Sequence, residues 1–199
     1  VLNFDDYMKT CYNHLTSTQA GRPYYSEVDN FAIDHAKRKI KHVLDDALEK
    51  EIISREEQHA MIADNKNPGR FYCNLKIHKP HKHIPPQRPI ISGSESITEN
   101  IGIFIEHHIK DVASTHKSFL QDTPHFLRII ENLNKGPKLH PKTIAFTMDA
   151  IGLYTNIIHK EGLPCLEGAL NTRTNPKIPP NFLIQLMDIV LTENIFQFH

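Results

Sequence analysis

Residues 143–157, TIAFTMDAIGLYTNI, are the stretch on which fold and function both turn. From Thr143 to Asp149 the side chains alternate, with Ile144, Phe146 and Met148 on one side and Ala145, Thr147 and Asp149 on the other. That period of two predicts a strand. A carboxylate at the end of an apolar strand is held by its backbone while its tip reaches solvent, which suits a metal ligand. Gly152 is expected to change the chain direction sharply and set Tyr154 beyond the turn. A nucleotide polymerase needs such a pair, an Asp holding Mg²⁺ against substrate phosphates and an aromatic ring that closes on the sugar. By itself the spacing is unspecific, because an Asp after a strand is commonly a turn residue or a helix cap.

Upstream, residues 66–94 (KNPGRFYCNLKIHKPHKHIPPQRPIISGS) differ in kind from the rest. They hold Lys66, Arg70, Lys76, Lys79, Lys82 and Arg88, three histidines, and no Asp or Glu. Pro80, Pro85, Pro86 and Pro89 exclude a continuous helix. FYCNLKI reads as a strand, HKPHKHIPPQ as a basic loop and RPIIS as a returning strand, which together make a basic hairpin. An acid-free stretch of this kind is the local footprint of phosphate contact, which is blind to base sequence. Phe71 and Tyr72 are available to stack on bases, although strand positions equally suit the core. Cys73, His78, His81 and His83 have the spacing C-x4-H-x2-H-x-H, which matches no established zinc pattern.

Further out, the pattern is mostly helical. Residues 1–26 show no clear period and read as an arm or loop. From Asp29 to about Lys50 a stripe of Phe31, Ala32, His35, Ile40, Val43, Leu44, Ala47 and Leu48 predicts a helix. Ser54 with Glu57 is a capping box, opening a short helix to about Ala63 that Asn67-Pro68-Gly69 breaks. Ile97, Ile101, Ile105, Ile109 and Val112 mark another helix. Asp122 or Thr123 caps the next, with Phe126, Leu127, Ile130 and Leu133 expected inward and Gly136-Pro137 at its end. A helix from about Pro164 to Leu170 follows, and Pro179-Pro180 opens one more, with Leu183, Leu186, Met187, Val190 and Leu191 expected to be buried. The closing IFQFH reads as a strand. Strands mixed with longer helices predict an α+β fold.

The 199 residues suit one domain or one and part of a second, and the net charge is zero, so only local charge can point to nucleic acid. Asp5-Asp6 and Asp45-Asp46 read as solvated pairs. Three scattered cysteines give no disulfide framework and fit a reducing, intracellular compartment. Fourteen histidines make the charge sensitive to pH near neutrality. No apolar run approaches the roughly 18 residues that span a bilayer, so no membrane partner and no signal peptide are expected. A start without Met and a stop inside a strand suggest a piece of a longer protein.

TMDAIGLYTNI with the following HKEGL resembles the first palm motif of the reverse transcriptases of Penelope-like retroelements. GRFYCNLKIHKP and QRPIISG resemble that family's two fingers motifs, and LIQLMDIVLTENIFQF resembles the helix and strand before its second palm motif. The likeness covers about residues 66–198, and four modest motifs in order are specific together. It departs from the family at Cys73-Asn74, Ile158 and Pro164.

The resemblance implies an incomplete right-hand polymerase: an amino-terminal helical extension (1–65), fingers with the basic hairpin (66–142), and the start of a palm (143–199). It implies that Asp149 is a catalytic metal ligand, one of those holding two Mg²⁺ ions in the intact enzyme. Tyr154 would screen the 2′-hydroxyl of the incoming nucleotide and Arg88 would bind its triphosphate. Lys76 and Lys79 would sit near template or triphosphate, and Lys66, Arg70 and Lys82 against nucleic acid. Expected partners are an RNA template, a DNA primer and deoxynucleoside triphosphates; the oligomeric state is open. A nuclear location follows from the resemblance alone. The family's Asp-Asp pair and Gly-rich second palm motif do not follow Asp149 here, so the isolated chain is expected to be inactive. The alternatives are a non-catalytic nucleic-acid-binding remnant of such an element and a structural interaction domain.

Overall fold

The computed structural model describes residues 3–19, 21–62, 67–150 and 153–198. Lys66, the expected helix end at Ala63 and the expected turn at Gly152 lie outside them. Among the described residues the fold is α+β, combining helices with a small three-stranded mixed sheet and a two-stranded ribbon. The chain divides into two compact units, residues 1–104 with 185–199, and residues 105–184. No helix among the described residues is long and apolar enough to cross a membrane.

The first unit opens on a helix where an arm was expected, α1 (Phe4–Leu15). Asn3 Oδ1 accepts the Asp6 N–H at 2.8 Å, and Asp5 and Asp6 complement the positive first turn. Tyr7, Cys11 and Leu15 recur every fourth residue and pack into the aromatic core. Three positions make too short a stripe for periodicity to declare a helix; the cap and the stripe together would have found it. Two short strands, β1 (Thr18–Gln19) and β2 (Arg22–Pro23), then pair antiparallel around Gly21, whose φ of 78° suits glycine.

The helix α2 (Ala32–Glu49) buries Ala36, Ile40, Leu44 and Ala47, the stripe the sequence predicts from Ile40 onward, while Phe31 before it is exposed. Its outer face carries the i,i+4 pairs Lys41–Asp45 and, with the following residue, Lys50–Asp46. The capping box forms as expected at α3 (Arg55–Met61). The Glu57 N–H donates to Ser54 Oγ at 3.2 Å, and the Ser54 N–H to Glu57 Oε2 at 2.8 Å. The Gln58 side-chain amide donates to Asp45 Oδ1 at 2.7 Å and ties α3 to α2.

The sheet is built from β3 (Gly69–Leu75), β4 (Gln87–Ser92) and β5 (Phe196–Gln197) in the order β4-β3-β5. The first two form the expected antiparallel hairpin, and the last lies parallel to β3 through Gly69↔Phe196 and Arg70↔Gln197. A Cβ at Gly69 would stand 2.9 Å from the Ser92 carbonyl oxygen, so this central position admits only glycine without a backbone shift.

The second unit begins within α4 (Glu99–Ser114), where Ile101, Ile105 and Val112 are buried at the predicted spacing. The next helix, α5 (Thr123–Lys135), has its Asp122 cap, with Oδ1 accepting the His125 N–H at 2.7 Å. Its apolar face is not inward, however. Phe126, Leu127, Ile130 and Leu133 are all exposed, because an amphipathic stripe reports an apolar face and not the neighbour that would cover it.

The strand expected over 143–149 does not form either. Residues 143–150 have no regular structure, and Ile144, Phe146 and Met148 are 82%, 76% and 85% exposed. A strand requires the hydrogen bonds of a neighbouring edge, and among the described residues no strand pairs with this segment.

Beyond it come α6 (Leu153–Asn156) and α7 (His159–Leu170). The latter starts five residues before Pro164, which lies inside it and removes one ladder bond. Arg173 pins the following loop, donating to the carbonyls of Leu170 at 3.1 Å and Ile178 at 2.9 Å. The last helix, α8 (Pro180–Thr192), buries Phe182, Leu183, Leu186 and Ile189 and exposes Leu191. Asn181, Gln185, Asp188 and Thr192 recur at helical spacing along its exposed face, beside which Leu191 stands, while the expected Met187 and Val190 are half-buried.

Candidate functional site

Alternation along β3 separates a core face from a solvent face. Gly69, Phe71 and Cys73 are buried, while Arg70, Tyr72 and Asn74 are exposed. Phe71 stacks on Phe196 at 5.7 Å and meets Phe198 and Tyr25 edge-on at 5.5 and 6.2 Å. These rings fix the inward face, and with it the direction in which the next side chains must point.

Cys73 completes that anchoring. Its N–H donates to the Tyr7 hydroxyl at 3.0 Å, since β5 pairs with β3 only as far as Arg70. Burial pushes the Cys73 thiol up to about 12, with the adjacent Cys11 thiol adding to the shift, and burial likewise raises Tyr7. Cys73 is therefore a neutral part of the core, and Cys11 is buried in the same cluster.

Directly opposed residues share a face, so the register places Arg70 with Ser92, Tyr72 with Ile90 and Asn74 with Arg88 on the outer side. Arg70 and Arg88 thus lie on one face of the hairpin, about 13 Å apart along the strands at 3.3 Å per residue. Beyond the paired strands, the loop carries Lys76, half-buried, and Lys79 and Lys82, exposed. The Lys76 N–H donates to the Pro86 carbonyl at 2.8 Å and the Lys79 N–H to the Lys76 carbonyl at 3.0 Å, which shape the loop base. Among the described residues none of these five cationic side chains has an ion-pair or hydrogen-bond partner. Elsewhere Lys39, Lys41, Lys50 and Lys135 each hold a carboxylate, while among the described residues Lys9, Lys110, Arg128 and Lys142 are unpaired as well; what sets the hairpin apart is that its cations cluster in a stretch without acids.

Gln87 faces inward at the hairpin mouth, and its side-chain Nε2 and Oε1 are both buried without a partner. No carboxylate stands anywhere between residues 66 and 94 to draw the neighbouring cations inward.

The remaining predicted site residues are elsewhere. Lys66 lies outside the described residues. Asp149 is exposed on the irregular segment 143–150, and Tyr154 belongs to α6; both fall in the second unit, whereas the hairpin belongs to the first. A two-metal centre needs at least two carboxylates. Asp149 brings one, and among the described residues no three of His, Cys, Asp and Glu gather into a metal-holding group, so the side chains present do not complete such a centre. Cys73 is turned into the core while His78, His81 and His83 are exposed, which separates the would-be zinc ligands.

The outward position of Tyr72 was readable in GRFYCNL itself, where alternation assigns Phe71 and Tyr72 to opposite faces. The Tyr7 contact was not readable, because it depends on a helix 66 residues away in the chain. No protein-family model matches this chain, and no curated protein and no solved structure matches it significantly.

Proposed function

We propose that this chain is the fingers and first palm segment of an RNA-directed DNA polymerase resembling the reverse transcriptases of Penelope-like retroelements. The observation that carries the proposal is the basic hairpin, whose Arg70, Lys76, Lys79, Lys82 and Arg88 have no acidic partner among the described residues. A cluster of cations in a stretch free of acids is the local footprint of contact with a phosphate polyanion. The order of four family-like motifs over residues 66–198 is the support for reading that polyanion as nucleic acid.

In this proposal Arg88 grips the triphosphate of the incoming nucleotide, because its planar fork matches phosphate oxygens in pairs. Lys76 and Lys79 act as point charges near template or triphosphate, and Arg70, Lys82 and Lys66 hold the nucleic-acid backbone. Asp149 contributes one carboxylate and Tyr154 an aromatic ring to a site that needs further acidic residues from the intact protein. Magnesium chemistry belongs to that intact protein, and the 199-residue chain alone is expected to extend no primer.

The test has two arms. The chain is mixed with an RNA template annealed to a DNA primer and binding is measured; Asp149→Ala is then placed in the full-length polymerase and RNA-templated extension is assayed. Binding by the chain, with extension abolished in the variant while template binding persists, supports the proposal. No binding, or full activity of the variant, refutes it.

A second reading, a protein-interaction domain, draws on the exposed apolar face of α5. It predicts no measurable affinity for nucleic acid at physiological salt.

A further inference from the structure

The two aromatic neighbours on β3 have opposite fates. Phe71 is 5% exposed and touches three other rings, whereas Tyr72 is 38% exposed and among the described residues its ring meets no other ring. Nothing in the first unit's core requires an aromatic side chain on that outer face. It sits two residues, about 7 Å, from Arg70 along β3, and one step on from its own cross-strand partner Ile90 lies Arg88 opposite Asn74. The sheet face therefore presents Arg, Tyr and Arg in a row, with both guanidinium groups unpaired and no acid anywhere in residues 66–94.

Those three side chains select between forms of nucleic acid. Guanidinium groups bind the phosphates of a paired or an unpaired strand alike. A flat ring adds affinity only where a base face is free, and in a duplex every base face is already covered by its neighbours. Arg–aromatic–Arg on one face is thus the chemistry of an electrostatic track with a stacking platform. The rings of Phe196, Phe198 and Tyr25 behind β3 hold Phe71, and with it the strand that carries Tyr72, in place.

We infer that the outer face of the β3–β4 hairpin binds single-stranded nucleic acid, with a base stacked on Tyr72 between phosphates held by Arg70 and Arg88, and that Tyr72 sets a preference for unpaired over paired strands. This deepens the proposed function and rests on its nucleic-acid reading; Arg88 holds the strand phosphate when no incoming nucleotide presents its triphosphate. Tyr72 is a specificity residue and has no part in the chemistry assigned to Asp149.

The experiment uses the whole chain and a labelled RNA of about 16 nucleotides, the upper site size for such platforms, either single-stranded or annealed to its full complement. Wild type is expected to bind the single strand more tightly than the duplex. Tyr72→Ala is expected to weaken single-strand binding about tenfold, the usual effect of removing one stacking ring, and to leave duplex binding unchanged. Tyr72→Phe should retain the preference, because stacking needs the ring and not the hydroxyl. A thermal melt of each variant establishes that the hairpin is still folded. Equal losses on both forms, or loss in Tyr72→Phe, overturn the inference. If wild type binds both forms equally and Tyr72→Ala changes neither, the nucleic-acid reading survives and the inference alone fails. If wild type binds neither, both fail together.

Discussion

Tyr7 supplies to Cys73 the hydrogen bond that a longer β5 would have made. The Lys76 N–H donates to Pro86 O, and two-residue alternation from that bond turns the Cys73 N–H away from β4. The same phase lets Pro89, opposite Cys73, lack an N–H without breaking the hairpin. Tyr7→Phe keeps the ring in the core and strands that N–H, so stability measured by urea unfolding should fall by about 1–3 kcal/mol. An unchanged midpoint would mean that another group accepts it. The neighbouring thiol gives a pH effect of definite sign. Burial raises Cys73 from its ordinary 9.0 to about 12, so the folded chain keeps a proton that the unfolded chain releases. Its stabilisation is complete below 9.0 and is lost as pH rises toward about 12. Tyr7 and Tyr25, also raised chiefly by burial, push in the same direction at the alkaline end. Urea midpoints measured from neutral to alkaline pH should therefore decline, and Cys73→Ala should make the decline shallower.

At the scale of elements, what the sequence discloses is what its neighbours in the chain decide. The Ser54–Glu57 box and the Asp122 cap are settled within four residues, and both stand as expected. Ser54→Ala should cost about 1 kcal/mol in the same unfolding assay. The β3–β4 hairpin was equally legible, since prolines, alternation and a basic loop all lie within one local stretch. The misjudged features depend on a partner distant in sequence. The alternation of residues 143–149 specifies a strand only against another edge, and the stripe of α5 specifies burial only beneath a cover. Leu127, 58% exposed, is the direct check on α5. Replacing it with Gln should change stability by no more than about 0.5 kcal/mol, the usual range for surface positions. A loss of about 2 kcal/mol or more would mean that the face is covered in solution.

Across the whole molecule, a net charge of zero conceals a division. Six of the 23 Lys and Arg residues fall in residues 66–94 with none of the 23 Asp and Glu, so the rest of the chain is net negative. That basic stretch was legible from composition; the freedom of its side chains was not, because ion pairing depends on which carboxylates the fold brings near. Binding of nucleic acid should therefore be local to the hairpin, with the remainder mildly repelling the same polyanion. Each phosphate neutralised on a single strand contributes about 0.7 to the slope of log K against log salt. Five engaged cations then predict a slope of about −3.5, and Arg70→Ala with Arg88→Ala should bring it about 1.4 closer to zero. The control is Lys41→Ala with Lys50→Ala, which removes the same charge from α2, where Asp45 and Asp46 already hold both lysines. That pair should leave the slope where it was. Equal shifts from the two double variants would mean that binding senses only overall charge, and the hairpin would lose its claim to be the interface.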